Sequence, residues 1–177
     1  MADLKLFLDG SVNPYPNIGY GAYLTVHDDD FLSDSLKSRV KVKSFEHTYS
    51  TRLELQTLLW ALNDILALGD PDRVIVYTDS QNIIGLQGRR KRLESNDYWS
   101  KKNKRLNNYE LYQKFYRMTD QLDCEFVKVR GHKASNQKDE NDRLFTLVDR
   151  ASRNALREGE KISEQEDELL ENIPKCL

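Results

Sequence analysis

Apolar residues along this chain follow two rhythms, and the switch between them sets the expected architecture. Residues 3–9 carry Leu6-Phe7-Leu8 running straight into Asp9, a continuous apolar run of the kind a doubly covered strand shows. Asn13-Pro14-Tyr15-Pro16-Asn17 has turn composition. Residues 18–27, IGYGAYLTVH, read as a second strand, and Asp28-Asp29-Asp30 as the connection that follows. A third strand is expected within 36–45, where Val40 and Val42 alternate with Arg39, Lys41 and Lys43. Strand, turn, strand, turn, strand predicts an antiparallel meander.

The spacing then becomes helical. Leu55, Leu58, Leu59, Leu62, Ile65 and Leu66 form one stripe over residues 51–68. Ser50 or Thr51 is expected to cap its start, and Gly69-Asp70-Pro71 to end it. Residues 73–77, RVIVY, predict a buried fourth strand closed by Thr78-Asp79-Ser80, with Ser80 capping a helix to about residue 87. A helix over about 108–122, a fifth strand over 124–129, a polar loop over 131–142 and a last helix over 142–157 complete the pattern. The order β-β-β-α-β-α-α-β-α predicts an α/β (mixed α+β) fold, a five-stranded mixed sheet covered by helices. One domain is expected over 1–157, with an acidic C-terminal tail over 158–177.

Composition adds little until charge is mapped along the chain. The 177 residues are 38% hydrophobic and 32% charged, and no apolar run approaches the ~20 residues of a membrane span. The start lacks a signal-peptide pattern, and Cys124 and Cys176 form no metal or CxxC spacing. A cytoplasmic protein with free thiols, no membrane partner and a monomeric state is expected. The net charge of −2 hides an asymmetry. Residues 89–105 hold eight basic residues (Arg89, Arg90, Lys91, Arg92, Lys101, Lys102, Lys104, Arg105) and two acids, whereas 158–177 hold seven acids and two lysines. The first block, interleaved with Tyr98 and Trp99, points to nucleic acid. The acidic tail either mimics nucleic acid against that block or is loose.

Four carboxylates stand in odd settings. Asp9 and Asp79 close apolar strands, where an ionised group needs a positive partner. Glu54 sits between Leu53 and Leu55 in the first turn of the long helix, and Asp149 sits beside Val148 in the last. Sites in such sheets form at the ends of central strands, which draws Asp9 and Asp79 together. Four like charges in one cleft resist ionising, and divalent cations with oxygen ligands resolve that conflict.

With these residues in order the chain resembles a type I, bacterial-like ribonuclease H. The matching stretches are Asp9-Gly10-Ser11, Gly19-Tyr20-Gly21-Ala22, Arg52-Leu53-Glu54-Leu55, Thr78-Asp79-Ser80-Gln81, Val129-Arg130-Gly131-His132 and Val148-Asp149-Arg150-Ala151. They span about residues 4–157, so the resemblance makes 1–157 the catalytic domain. It implies hydrolysis of the RNA strand of an RNA–DNA hybrid duplex, leaving 5′-phosphate and 3′-hydroxyl ends. Asp9, Glu54, Asp79 and Asp149 would hold two Mg²⁺ ions, with Mn²⁺ as a substitute, roughly 3.5–4 Å apart. His132 would assist proton transfer or product release from a loop over the site.

Gly10, Ser11, Asn17, Ser50, Thr51, Ser80 and Gln81 are the expected contacts to the hybrid's backbone, where the 2′-hydroxyls distinguish RNA from DNA. The basic block, Arg89, Arg90, Lys91 and Arg92 with Trp99, resembles the family's basic protrusion, which grips the DNA strand. The chain departs from the family pattern in three places. Ser50-Thr51 replace a pair of asparagines, the loop between His132 and Asp149 is longer, and Phe145 takes a position often polar. Two other readings remain open: a nuclease or strand-transfer enzyme on the same scaffold, and an inactive hybrid-binding module.

Overall fold

The computed structural model describes residues 3–15, 17–27, 30, 34–69, 71–130 and 133–171. Five strands form one sheet in the order β3-β2-β1-β4-β5. β1 (Leu4–Asn13) and β2 (Ile18–His27) pair antiparallel, as do β2 and β3 (Lys41–Phe45). β4 (Val74–Thr78) lies parallel to β1, and β5 (Cys124–Lys128) parallel to β4. Parallel neighbours need crossovers. α2 (Ser50–Leu68) supplies the first; α3 (Gln81–Ile84), α4 (Leu86–Ser95) and α5 (Tyr109–Thr119) supply the second. A short α1 (Asp34–Ser38) precedes β3, and α6 (Glu140–Glu171) follows β5. The sheet is the mixed, five-stranded one that the hydrophobic pattern predicts.

The two faces of the sheet carry separate cores. Leu4, Leu6 and Leu8 pack with α2 and α5 through Leu58, Leu62 and Phe115. Phe7 points the other way, to Val148 and Leu144 of α6, and stacks on Tyr77 at 4.7 Å. This alternation of side chains decides where the functional residues go. In β1 the odd positions face α6, so Asp9, Ser11 and Asn13 follow Phe7 to that side. The Ser11 and Ser152 hydroxyls lie 3.1 Å apart, and Asn13 Nδ2 donates to Glu160 Oε1 at 3.0 Å. The even positions face α2, and there the strands come close to the helix. A Cβ on Gly21 would lie 2.1 Å from Thr57 Oγ1, and one on Gly10 2.9 Å from Leu53. Glycine lets α2 press onto the sheet, bringing Glu54 to its edge.

Several boundaries differ from the sequence expectation. β1 does not stop at Asp9 but runs to Asn13, because its partner β2 is ten residues long and keeps pairing it. Neither Ser50 nor Thr51 caps α2; Tyr49 holds the cap position in extended conformation without a side-chain bond. Residues 81–95 form two helices broken at Gly85, so the basic run Arg89–Arg92 is itself helical. The alternation expected from residue 36 is strand only from Lys41. α6 starts at Glu140 and continues unbroken past residue 157 to Glu171. Tyr20 packs on it at Gly159, where a Cβ would meet the tyrosine hydroxyl at 2.2 Å. No helix among the described residues is long and apolar enough to cross a membrane.

Candidate active site

Register brings Asp9 and Asp79 level with each other. Phe7 pairs with Tyr77 in the parallel β1–β4 ladder, and each aspartate lies two residues further along its own strand direction. Both therefore share the face of Phe7 and Tyr77, the face covered by α6. α6 delivers Asp149 beside Val148, which is fully buried against that face. Glu54 comes from the opposite layer. Its carboxylate accepts a short hydrogen bond from Ser80 Oγ, which ties α2 to the loop after β4. Ser80 is the cap the sequence predicts for α3, its hydroxyl accepting from Ile83 N at 3.3 Å.

The electrostatics link these carboxyls. Burial, then the charge of Asp79, then contact with Asp149 push Asp9 up to about 8, against a lowering hydrogen bond from Gly10 N at 2.8 Å. Glu54 is raised as well, first by burial and then by Asp79, while Ser80 and Ser50 act in the opposite sense. Asp79 itself is exposed and acts on both neighbours. Asp149 is held by Arg153 Nε at 2.8 Å, one turn along α6. His132 lies outside the described residues.

The donor set suits a hard divalent cation in kind, since every candidate ligand is a carboxylate oxygen. As they stand, no three acidic, His or Cys side chains among the described residues are arranged to hold a metal ion. Arg153 holds Asp149, and Ser80 holds Glu54. Each contact occupies one carboxylate oxygen, and the other oxygen remains to meet a cation. The crowding that raises Asp9 is the energetic reason the carboxylates would accept it.

Between Asp79 and Asp149 opens a cavity of about 370 Å³. Arg130, Lys133, Lys138, Asp142 and Arg153 also line it, so cationic and anionic groups share its walls. Sequence reasoning did not place these four cations beside the aspartates. The signal was available for Arg153, four residues after Asp149 on one helix face. The lysines are visible only once the loop after β5 folds back on α6.

A model of the RNase H family matches residues 1–155. The chain belongs to the RNase H family. As a member it is a hydrolase and nuclease of the ribonuclease H kind. A Ribonuclease H of Moorella thermoacetica is 30% identical over 165 residues, covering 90% of this chain and 97% of its own. Among solved structures, LC9-RNase H1, described as a type 1 RNase H with the type 2 active-site motif, has a TM-score of 0.62 at 21% identity. The match covers 86% of this chain and 72% of that one. The solution structure of the PFV RNase H domain has a TM-score of 0.63 at 16% identity, covering 86% and 92%.

On this RNase H fold the remaining expected site residues divide into those built into the protein and those facing outward. Gly10 packs on Leu53, and Ser11 joins Ser152. Asn17, in left-handed conformation at φ 64°, accepts from Thr48 N at 3.0 Å, which joins the β1–β2 turn to the start of α2. Asn17 and Ser50 are exposed, and Thr51 is half-buried. Gln81 is exposed and accepts from Lys128 Nζ at 2.6 Å.

The basic block splits in the same way. Arg89 bonds Asn82 O, Asn82 Oδ1 and Gly85 O, clamping the α3–α4 corner. Arg90 grips Asp120 through two nitrogens and lies over the Tyr116 ring. Lys91, Arg92, Lys101, Lys102 and Lys104 are exposed and pair with no acid among the described residues. Buried Tyr98 anchors the loop after α4. Trp99, 46% exposed, bridges to Arg105 across it and holds the loop's shape.

Proposed function

We propose that the protein is an endonuclease that cleaves the RNA strand of RNA–DNA hybrids and leaves 5′-phosphate and 3′-hydroxyl ends. The observation that carries this reading is Asp9, half-buried beside Asp79 and Asp149 and pushed up to about 8 by burial and then by those two neighbours. A carboxyl so placed is a poor structural residue and a good ligand for a cation that relieves the repulsion. Asp9, Glu54, Asp79 and Asp149 would hold two divalent ions, Mg²⁺ or in its place Mn²⁺. When bound, such ions supply the positive charge that acidifies a water and steadies a departing oxygen.

The chain's own residues do the rest. The exposed cations on α4 and the following loop draw the hybrid in through its phosphates. Asn17, Ser50, Thr51 and Gln81, with Gly10, Ser11 and Ser80 behind them, present hydrogen-bonding groups toward the 2′-hydroxyls of an A-like groove. His132, from the loop after β5, would move a proton or help the product leave. The half-buried, unpaired Cys124 suits a reducing compartment, and we assign the enzyme to the cytoplasm as a monomer.

Labelled RNA–DNA hybrid, duplex DNA and duplex RNA of one sequence, each incubated with Mg²⁺, test the reading. Cleavage confined to the RNA of the hybrid is expected. Cleavage of duplex DNA would favour a strand-transfer or DNA-cutting relative, and tight binding without cleavage an inactive module.

A further inference from the structure

The cavity beside Asp79 and Asp149 has a second wall that the carboxylates do not explain. Val129 N donates to Thr78 O at 2.9 Å, so the chain after β5 stays alongside the end of β4 and carries Arg130 to the cavity. The loop then folds onto a reciprocal cap at the start of α6. Asp142 N donates to Asp139 Oδ1 at 2.8 Å, and Asp139 N to Asp142 Oδ2 at 3.1 Å. The two lysines are fastened to the first turns of α6. Lys133 Nζ donates to Asp142 Oδ2 at 2.8 Å, and Lys138 Nζ donates to Thr146 Oγ1 at 2.9 Å. Thr146 in turn donates to Asp142 O at 2.8 Å.

Asp142, Thr146, Asp149 and Arg153 follow one another at helical spacing, so they form a single stripe of α6 facing the cavity. The lysines are therefore placed one and two turns from a candidate catalytic carboxylate. Their charges differ in availability. Lys133 is compensated by Asp142 and Arg153 by Asp149. Lys138 has a neutral partner, and its ammonium keeps donors to spare. Arg130 is exposed and lines the same space. An ammonium without an acidic partner among the described residues and an arginine, placed beside carboxylates that act on a phosphodiester, fit a second phosphate.

We propose that Lys138, with Arg130 and Lys133, forms a phosphate subsite that holds the RNA phosphate adjoining the one cleaved. This rests on the hybrid-cleaving reading above. The subsite fixes the strand's register over Asp79 and Asp149, and its effect belongs to binding rather than to the chemical step. The same chemistry would also accept the terminal phosphate of a cut product.

The test compares the full-length wild type with Lys138→Gln and Lys138→Arg, all shown to have matching melting temperatures. Lys138→Gln is expected to raise KM for hybrid roughly fivefold with kcat little changed, and to lower the salt slope of binding by about one. Lys138→Arg should restore KM. A hybrid with one methylphosphonate beside the cleaved bond identifies the source. If the diester is the ligand, wild type loses the same factor and Lys138→Gln loses nothing more. If the terminal phosphate is the ligand, hybrid KM holds while inhibition by 5′-phosphorylated product weakens in Lys138→Gln. Unchanged KM, salt slope and product inhibition would overturn the subsite. Hybrid binding measured by anisotropy reads the subsite even if wild type fails to cleave, so the two readings fail separately.

Discussion

Asp9 shows how a single residue can be at odds with its own fold. It continues the inner face of β1 after Phe7, where burial disfavours charge, and it faces Asp79 and Asp149. Its folded pKa of about 8 lies above the unfolded carboxyl value of 3.8. The direction of the stability effect follows from linkage. Below the unfolded value Asp9 is neutral in both states and costs nothing. As pH rises through the interval, the unfolded chain ionises first, so folding stability falls until about pH 8. With chelator present, Asp9→Asn is expected to remove that slope and to stabilise the protein by roughly 1–3 kcal/mol at pH 7. Thermal melts of both proteins across pH check it; an equal slope in both would contradict the burial and repulsion assigned to Asp9.

At the scale of elements, β1, β2, β4 and α2 were readable because burial imposes a pattern, whereas exposed β3 was legible only as alternation. β2 and the end of α2 fall where the pattern puts them, at residue 27 and residue 68. Boundaries set by pairing or by tertiary support were not readable. β1 runs past Asp9 because β2 continues opposite it, and α6 runs on past its apolar stripe, where Asn13 bonds Glu160 and Tyr20 lies against Gly159. The basic run was legible as charge but not as two populations. Arg89 spends its donors on Asn82 and Gly85, whereas Lys91 and Arg92 look outward from α4. Neutralising Lys91 and Arg92 is therefore expected to raise KM for hybrid several-fold and flatten its salt dependence, with kcat and melting temperature held. Arg89→Gln should instead lower the melting temperature, because it leaves carbonyls of the α3–α4 corner unpaired. Steady-state kinetics at two salt concentrations, beside thermal melts, separate the two populations.

For the whole molecule, the candidate site is a product of layering. Two aspartates come from adjacent parallel strands, one from the helix on their own face, and Glu54 from the helix on the other. That both aspartates close apolar strands, where sites in such sheets form, drew them together from the sequence. The cations beside them were not readable, since Lys133 is fixed by Asp142 of the α6 cap and Lys138 by Thr146 one turn further on. The claim on which everything else rests is that these acids work together on a phosphodiester. Cleavage of labelled RNA–DNA hybrid by wild type and by Asp79→Asn, across a Mg²⁺ titration, tests it most directly. Wild type should cleave only with the cation present, and Asp79→Asn should lose roughly 10³-fold or more while melting as a folded protein. An Asp79→Asn protein that cuts the hybrid at the wild-type rate would contradict it.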